Sequence, residues 1–175
     1  RIESSSWMFR QYRKRLDTTV LGMLEVDSAG NVNVSRRSER VENYVGPGGF
    51  PNLVAYARNI IFVGKWRAGA KVQVHGGRVR IGDGGRPKFV ERVQEITFNA
   101  QPALDRGASV HYVTHVGVFR LTPQGLRLVQ VMPGVDIERD IVAGSTARLV
   151  IPRGRVPVVD SSVVTGRGFH LQWPD

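Results

Sequence analysis

The chain has 175 residues, of which 41% are hydrophobic and 23% charged, enough apolar material for one folded domain and too much for a disordered one. No apolar run approaches the roughly 20 residues of a membrane helix, no h-region marks a secretory signal, and the absence of cysteine excludes disulfides, thiolate metal sites and thiol catalysis; together these point to a cytoplasmic home. The net charge of +10 raises nucleic acid as a partner, but the basic residues are scattered, only Lys14, Lys65, Lys71 and Lys88 are lysines, and aromatic residues are not interleaved with them, so nucleic-acid binding is not expected and a small polyphosphate ligand suits the charge as well.

In chain order, "TTVLGMLEV" (Thr18 to Val26) is a continuous apolar run, the pattern of a strand buried on both faces. "DSAGN" has turn chemistry and "VNV" makes a short strand. The stretch "VENYVGPGGFPNLVAYAR" sets a glycine loop ahead of an amphipathic helix, with Phe50, Leu53, Val54, Ala57 and Ile61 at helical spacing and Pro51 in the first turn. "NIIFVG" reads as a second buried strand, which completes a βαβ-like unit with a parallel sheet. "KVQVHGGRVRIG" alternates about Gly76-Gly77 as a two-residue hairpin does. "KFVERVQEITF" has mixed periodicity and is compatible with a strand that has a helical entry. "ASVHYVTHVGVFRLTPQGLRLVQVM" reads as two antiparallel strands joined at "TPQG", and "PGVDIERDIVAGS" as a short helix capped by Asp136, with Ile137, Ile141 and Val142 inward. The tail from Arg148 carries three prolines and is expected to be extended. Residues 1–175 contain no internal boundary or repeat. The chain starts at Arg1 rather than Met, and is expected to be a piece of something longer.

Few residues here announce chemistry. His111 and His115 lie in a strand-like segment, where four residues separate side chains by about 13 Å, too far to share one ion; His75 and His170 have no visible partners. The carboxylates, from Glu3, Glu25, Glu39 and Glu42 to Glu91, Glu95 and Glu138, fall in no nucleophile or general-base motif, and "IERD" reads as helix-surface charge. A G-x-S-x-G elbow and a Walker A loop are both absent. There remains the glycine loop, where the amides of Gly48, Gly49 and Phe50 are expected to point out of the positive end of a helix toward a phosphate, a carboxylate or a developing oxyanion. An ordinary tight turn explains the same residues.

Taken in order, "LGMLEVDSAGNVNVS", "VGPGGFPNLVAYARNIIFVG", "KFVERVQEITF" and "VTHVGVFRLTPQGLRLVQVMPGVDIERDI" resemble the C-terminal, β-half domain of class I CoA-transferases, in the acetate/propionate and 3-ketoacid group, over Ser6 to Ile141. The resemblance implies an α/β, three-layer fold whose mostly parallel sheet, of the sugar-isomerase and CoA-transferase type, is extended by antiparallel strands. It implies transfer of CoA between an acyl-CoA and a free carboxylic acid through a glutamyl-CoA intermediate, with the CoA thioester as substrate and neither cofactor nor metal. Gly48 matches the glycine whose N–H stabilises the thioester oxyanion. Gly46 and Gly49 shape that loop beside Phe50, and Asn33 falls at a polar position facing the active site. The family's nucleophilic glutamate would fall before Arg1, and Glu3 does not occupy its motif. The chain is therefore expected to lack the nucleophile and the α half, as an excised domain or, alternatively, a degenerate subunit, and to be inactive alone. The α half, on the same or another chain, is the implied partner, with a homo-oligomer when intact and no membrane. Two other readings are an acyl-CoA hydrolase on the same scaffold and a non-catalytic basic binding or assembly module.

Overall fold

The computed structural model describes residues 2–38 and 40–170, so Glu39, Arg1 and the tail's last residues, 171–175, lie outside the described residues. Its first feature is a break where one strand was expected. β1 (Thr18–Gly22) and β2 (Glu25–Asp27) are separated at Met23-Leu24 and join different sheets. Along β1 only Thr19 is buried and Val20 stays 61% exposed, so the run is apolar without being covered on both sides. The chain continues through β3 (Val32–Asn33), helix α2 (Phe50–Tyr56), β4 (Asn59–Val63), β5 (Arg67–Ala68), β6 (Val72–His75), β7 (Arg78–Ile81), β8 (Arg86–Pro87) and β9 (Phe89–Val90). Then come α3 (Ala100–Asp105), β10 (Ser109–Val113), β11 (Gly117–Thr122), β12 (Gly125–Val131), a π-helical turn at Ile137–Val142, β13 (Leu149–Val150) and α4 (Ser161–Thr165), with α1 (Ser5–Lys14) ahead of everything.

The main sheet is six-stranded in the order β1-β4-β10-β11-β12-β13. β1–β4, β4–β10 and β12–β13 pair in parallel, and β10–β11 and β11–β12 antiparallel, which is the mixed α/β architecture expected: a mostly parallel sheet extended by antiparallel strands. The β1–α2–β4 connection is the expected parallel unit, since the crossover helix carries the chain back to start β4 beside β1. β2 pairs with β3 and β9 in a second, three-stranded sheet.

One face of the main sheet is closely packed and the other is only half-covered. The packed face carries Ile60, Phe62, Val110, Tyr112, Phe119 and Leu128, and receives Phe50 and Val54 from α2, Ala100 and Ala103 from α3, and Ile141 from the π-helical turn. Aromatic rings organise it: Phe62 lies 5.9 Å from Phe50 and 5.4 Å from Tyr112, while fully buried Trp66 stacks on Phe119 at 5.1 Å and 6°. On the opposite face Val20 and Val63 are 61% and 46% exposed, and His111 faces out between Ile61 and Arg120 in register.

Several elements differ from their sequence reading for identifiable reasons. α2 stops at Tyr56, because Asn59–Val63 pairs on both sides as β4; Ile61 thus belongs to that strand, which is buried on one face only. "KFVERVQEITF" contributes only β9 and a bridge from Phe98 to Val32. The antiparallel region has three strands, since Thr114 closes a tight turn by donating its hydroxyl to the Gly117 carbonyl. Asp136 caps the π-helical turn by accepting from the Arg139 amide, and Ile141 is buried, but Val142 is 40% exposed because the wider turn rotates it outward. The tail is not merely extended: β13 adds an edge strand and α4 packs by β7. The hairpin turns at Gly76-Gly77, with φ of +56° and +71°. Among the described residues no helix is long and apolar enough to cross a membrane.

Two measurements check this packing. Tyr112 is fully buried and its hydroxyl donates to the Gly30 carbonyl, so Tyr112→Phe strands a buried acceptor and lowers stability by about 1–3 kcal/mol; an unchanged urea midpoint would refute that role. Burial first, then Arg120 for His111 and Lys65 with Lys88 for His115, holds both imidazoles below the ordinary 6.5. The unfolded chain therefore binds more protons below that value, and stability present at higher pH is lost as pH falls through it. Urea titrations at about pH 8 and 6 should show this loss, and His111→Gln/His115→Gln should flatten it.

Candidate active site

Two buried polar groups set the position of the glycine loop. Asn33 sits at the end of β3 with no exposed surface. Its amide nitrogen donates to Glu25 Oε2 at 2.9 Å and to the Arg36 carbonyl at 2.7 Å, and its Oδ1 accepts from the Ser35 and Arg36 amides at 3.0 and 2.9 Å. The chain is thus forced to turn after β3. It returns through a 3₁₀ turn at Val41–Asn43, and the Val45 amide closes the excursion on the Ser35 carbonyl at 2.7 Å. The next residues, Gly46 to Gly49, are delivered to the start of α2.

Gly48 has φ of +56° and Gly49 φ of −79°, while the Phe50 amide donates to the Pro47 carbonyl at 3.1 Å. That sign pattern is a type II′ turn, which favours glycine at its first central position. Phe50 is buried against Phe62, and its amide is already used; it is not a free donor, because the turn that orients the loop takes it. Among the described residues nothing accepts from the amides of Gly48 and Gly49. A Cβ on Gly48 would meet open space, whereas one on Gly49 would fall 2.5 Å from the Phe9 ring of α1 and displace it.

Beside this loop lies a cavity of about 680 Å³. Gly46, Pro47, Gly49 and Phe50 form one wall, the chain leaving β1 from Leu21 to Leu24 another, and Met8, Phe9 and Tyr12 of α1 a third. It lies at the carboxyl end of a parallel strand and at the amino end of the following helix, where open α/β sheets place ligands. Among the described residues no carboxylate or histidine lines it; a bound carbonyl there would meet aliphatic and aromatic walls and backbone donors.

Of the residues singled out from sequence, Gly46, Gly49 and Phe50 line the cavity, Gly48 stands at the exposed tip of the same turn, and Asn33 lies behind it, fully engaged within the protein. The α1 wall went unread, although Ser4 caps the helix by accepting from the Trp7 amide and Met8, Phe9 and Tyr12 recur on one side. Asn33→Ala removes four hydrogen bonds around buried Glu25, and is expected to lower stability by at least about 2 kcal/mol. If the thermal midpoint is unchanged while turnover of the intact protein collapses, Asn33 acts on substrate and not on the loop.

Comparison with known proteins accords with this geometry. No protein-family model matches the sequence. Acetate CoA-transferase YdiF of Escherichia coli K12 is 40% identical over 129 residues, which are 73% of this chain and 24% of YdiF. Caffeate CoA-transferase of Acetobacterium woodii is 32% identical over 130 residues, 73% of this chain and 25% of that protein. The chain thus spans about a quarter of the length of the curated relatives it matches. The crystal structure of the acyl-CoA transferase YdiF apoenzyme from E. coli O157:H7 superposes with a TM-score of 0.83 at 34% identity, covering 93% of this chain and 31% of that one. The decarboxylase AibA/AibB shares the fold, with a TM-score of 0.65 at 20% identity over 94% of this chain and 61% of its own. With the four segments in order, the cavity against the glycine turn and the relatedness to two CoA-transferases, the chain is a domain of the class I CoA-transferase family.

Proposed function

We propose that the protein containing this domain transfers CoA between an acyl-CoA and a free carboxylic acid. The observation that carries the reading is the cavity at the carboxyl end of β1, walled by a glycine turn with unengaged amides. In this reading a glutamate outside the chain attacks the thioester carbonyl, the C–S bond breaks, and CoA thiolate leaves an acyl-glutamyl anhydride. The thiolate then attacks the glutamyl carbonyl, releases the first carboxylate and forms glutamyl-CoA; the second acid reverses both steps. Negative charge develops twice on a carbonyl oxygen, and a preorganised amide is most effective there. Gly48 N–H donates to that oxygen, and Gly46, Gly49 and Phe50 hold the turn against the acyl-carrying end of the substrate. Asn33 serves the site by fixing the loop from behind. The reaction uses CoA as substrate and needs no further cofactor, and the protein works in the cytoplasm.

The α half completes the site from the loop side. Supporting this, Val41, Tyr44 and Val45 just before the glycine turn are 87%, 48% and 43% exposed, and Trp7 and Met8 of α1 39% and 41%. Such grouped apolar surface suits a covered face more than a solvated one.

Purified alone, the 175-residue chain should turn over no acyl-CoA, since the covalent step needs a carboxylate and none lines the cavity among the described residues; steady turnover free of contaminating enzyme would end this reading. In the intact protein, the product separates transferase from hydrolase: a new acyl-CoA is expected when a second acid is offered, and free CoA alone would favour the hydrolase. Gly48→Asn retains the amide, and asparagine bears a positive φ better than most residues, so turnover should stay within about tenfold of the parent. Gly48→Pro removes the donor and forbids the positive φ, and should lower turnover by about 10² to 10³ with the thermal midpoint little changed. A folded proline variant as active as the asparagine one would reduce Gly48 to a turn residue.

A further inference from the structure

A second concavity, of about 320 Å³, adjoins the first across Leu24, which lines both. Its chemistry is the opposite. Arg36, Arg37, Lys65, Arg86 and Lys88 converge on it from three separate parts of the chain: the turn after β3, the segment following β4, and β8 with the residue after it. Among the described residues the one carboxylate in the lining is Glu25, which is buried and already engaged. Its Oε2 accepts from Asn33 Nδ2 and, at 3.3 Å, from the Gln94 amide, and its Oε1 lies 3.6 Å from Arg86. Among the described residues no carboxylate lies within ion-pair distance of Arg36, Arg37, Lys65 or Lys88.

Such convergence of like charge costs free energy. Lys88 is half-buried, its ammonium donates to the Met23 carbonyl at 2.6 Å, and its pKa is lowered, first by burial and then by Lys65 and Arg86, against a raising contribution from Glu25. Like charges held together in a concave, partly desolvated place are stabilised by a ligand that brings several negative charges at once. One carboxylate would leave most of the cations unmatched. Among the described residues the lining includes no aromatic ring on which a base could stack, so the groups recognised are phosphates. A cavity of this size holds a few linked phosphates.

We propose that this cavity binds the linked phosphate groups of a small nucleotide-type anion, with Arg36, Arg37, Lys65, Arg86 and Lys88 as its ligands. The phosphates belong either to CoA, whose other end would occupy the neighbouring apolar cavity, or to a free nucleotide. The site stands on its own cations and does not depend on the transferase reading.

Inorganic tripolyphosphate is the probe. Titrated calorimetrically into the chain, it should bind at one site and weaken with added salt. Arg37→Gln/Lys65→Gln removes two exposed, unpaired cations and should weaken binding by about tenfold or more. Arg153→Gln/Arg155→Gln removes the same charge from the exposed tail after β13 and should stay within about twofold. Thermal midpoints confirm that both variants fold; if the first pair does not, Lys65→Gln alone carries the comparison. Absence of binding, or equal weakening in both pairs, overturns the proposal. The source follows from displacement: CoA displacing tripolyphosphate where pantetheine fails assigns the phosphates to CoA, and ATP displacing it where CoA fails assigns them to a free nucleotide.

Discussion

The hydrogen bond between Asn33 and Glu25 is the contact on which both cavities depend. It joins β3 to β2 through side chains that have almost no exposed surface, 0% and 4%. A buried carboxylate is tolerated only when its oxygens are occupied, and a buried carboxamide only when its donors and acceptor are. Here each satisfies the other and then reaches outward in a different direction. Asn33 holds the backbone of Ser35 and Arg36, and through them the loop that ends in the glycine turn. Glu25 reaches Arg86 and the Gln94 amide, the side on which the cations gather. An apolar cavity and a cationic one are thereby set on either side of Leu24 by one polar pair.

The aromatic packing explains why this pair is held still. Phe62 links Phe50 of α2 to Tyr112 of β10, and Tyr112 bonds the Gly30 carbonyl in the turn between β2 and β3. Asp27 closes that turn from the other side by accepting from the amides of Ala29 and Asn31. Rigid rings thus connect the main sheet to the small sheet that carries Asn33. Helix, sheet and loop are positioned from one packed face, while the other face of the sheet contributes nothing to the site.

How much of this was legible in the sequence depended on whether the signal was local. The Gly76-Gly77 hairpin, Pro51 in the first turn of α2 and the Asp136 cap are short-range chemistry, and each was readable. The division of Thr18–Val26 was not, because an apolar run has the same composition whether both faces are covered or one is exposed; Val20 is exposed because no described residue covers it, not for want of hydrophobicity. Ile61 fitted helical spacing by coincidence of period and was claimed by pairing with its neighbours in β1 and β10. In the site, the turn glycines were legible because positive φ leaves a mark in sequence. The engagement of Asn33 with Glu25 was not, since an eight-residue separation carries no pattern until β2 and β3 pair. The cationic cavity was hidden for the same reason: its residues are scattered along the chain and meet only in the fold.

Among the described residues β1 has a neighbour on one side only. Its outer row of backbone groups is a template on which another extended strand can add, and Val20 and Gly22 leave it short of charge. The same chain carries an excess of ten positive charges. Copies approaching edge to edge therefore bring like-charged surfaces together, and the arginine-rich exterior acts as a colloidal brake on an otherwise self-complementary border. Salt weakens that brake without altering the border, so ionic strength becomes a condition of the domain's life as a separate particle.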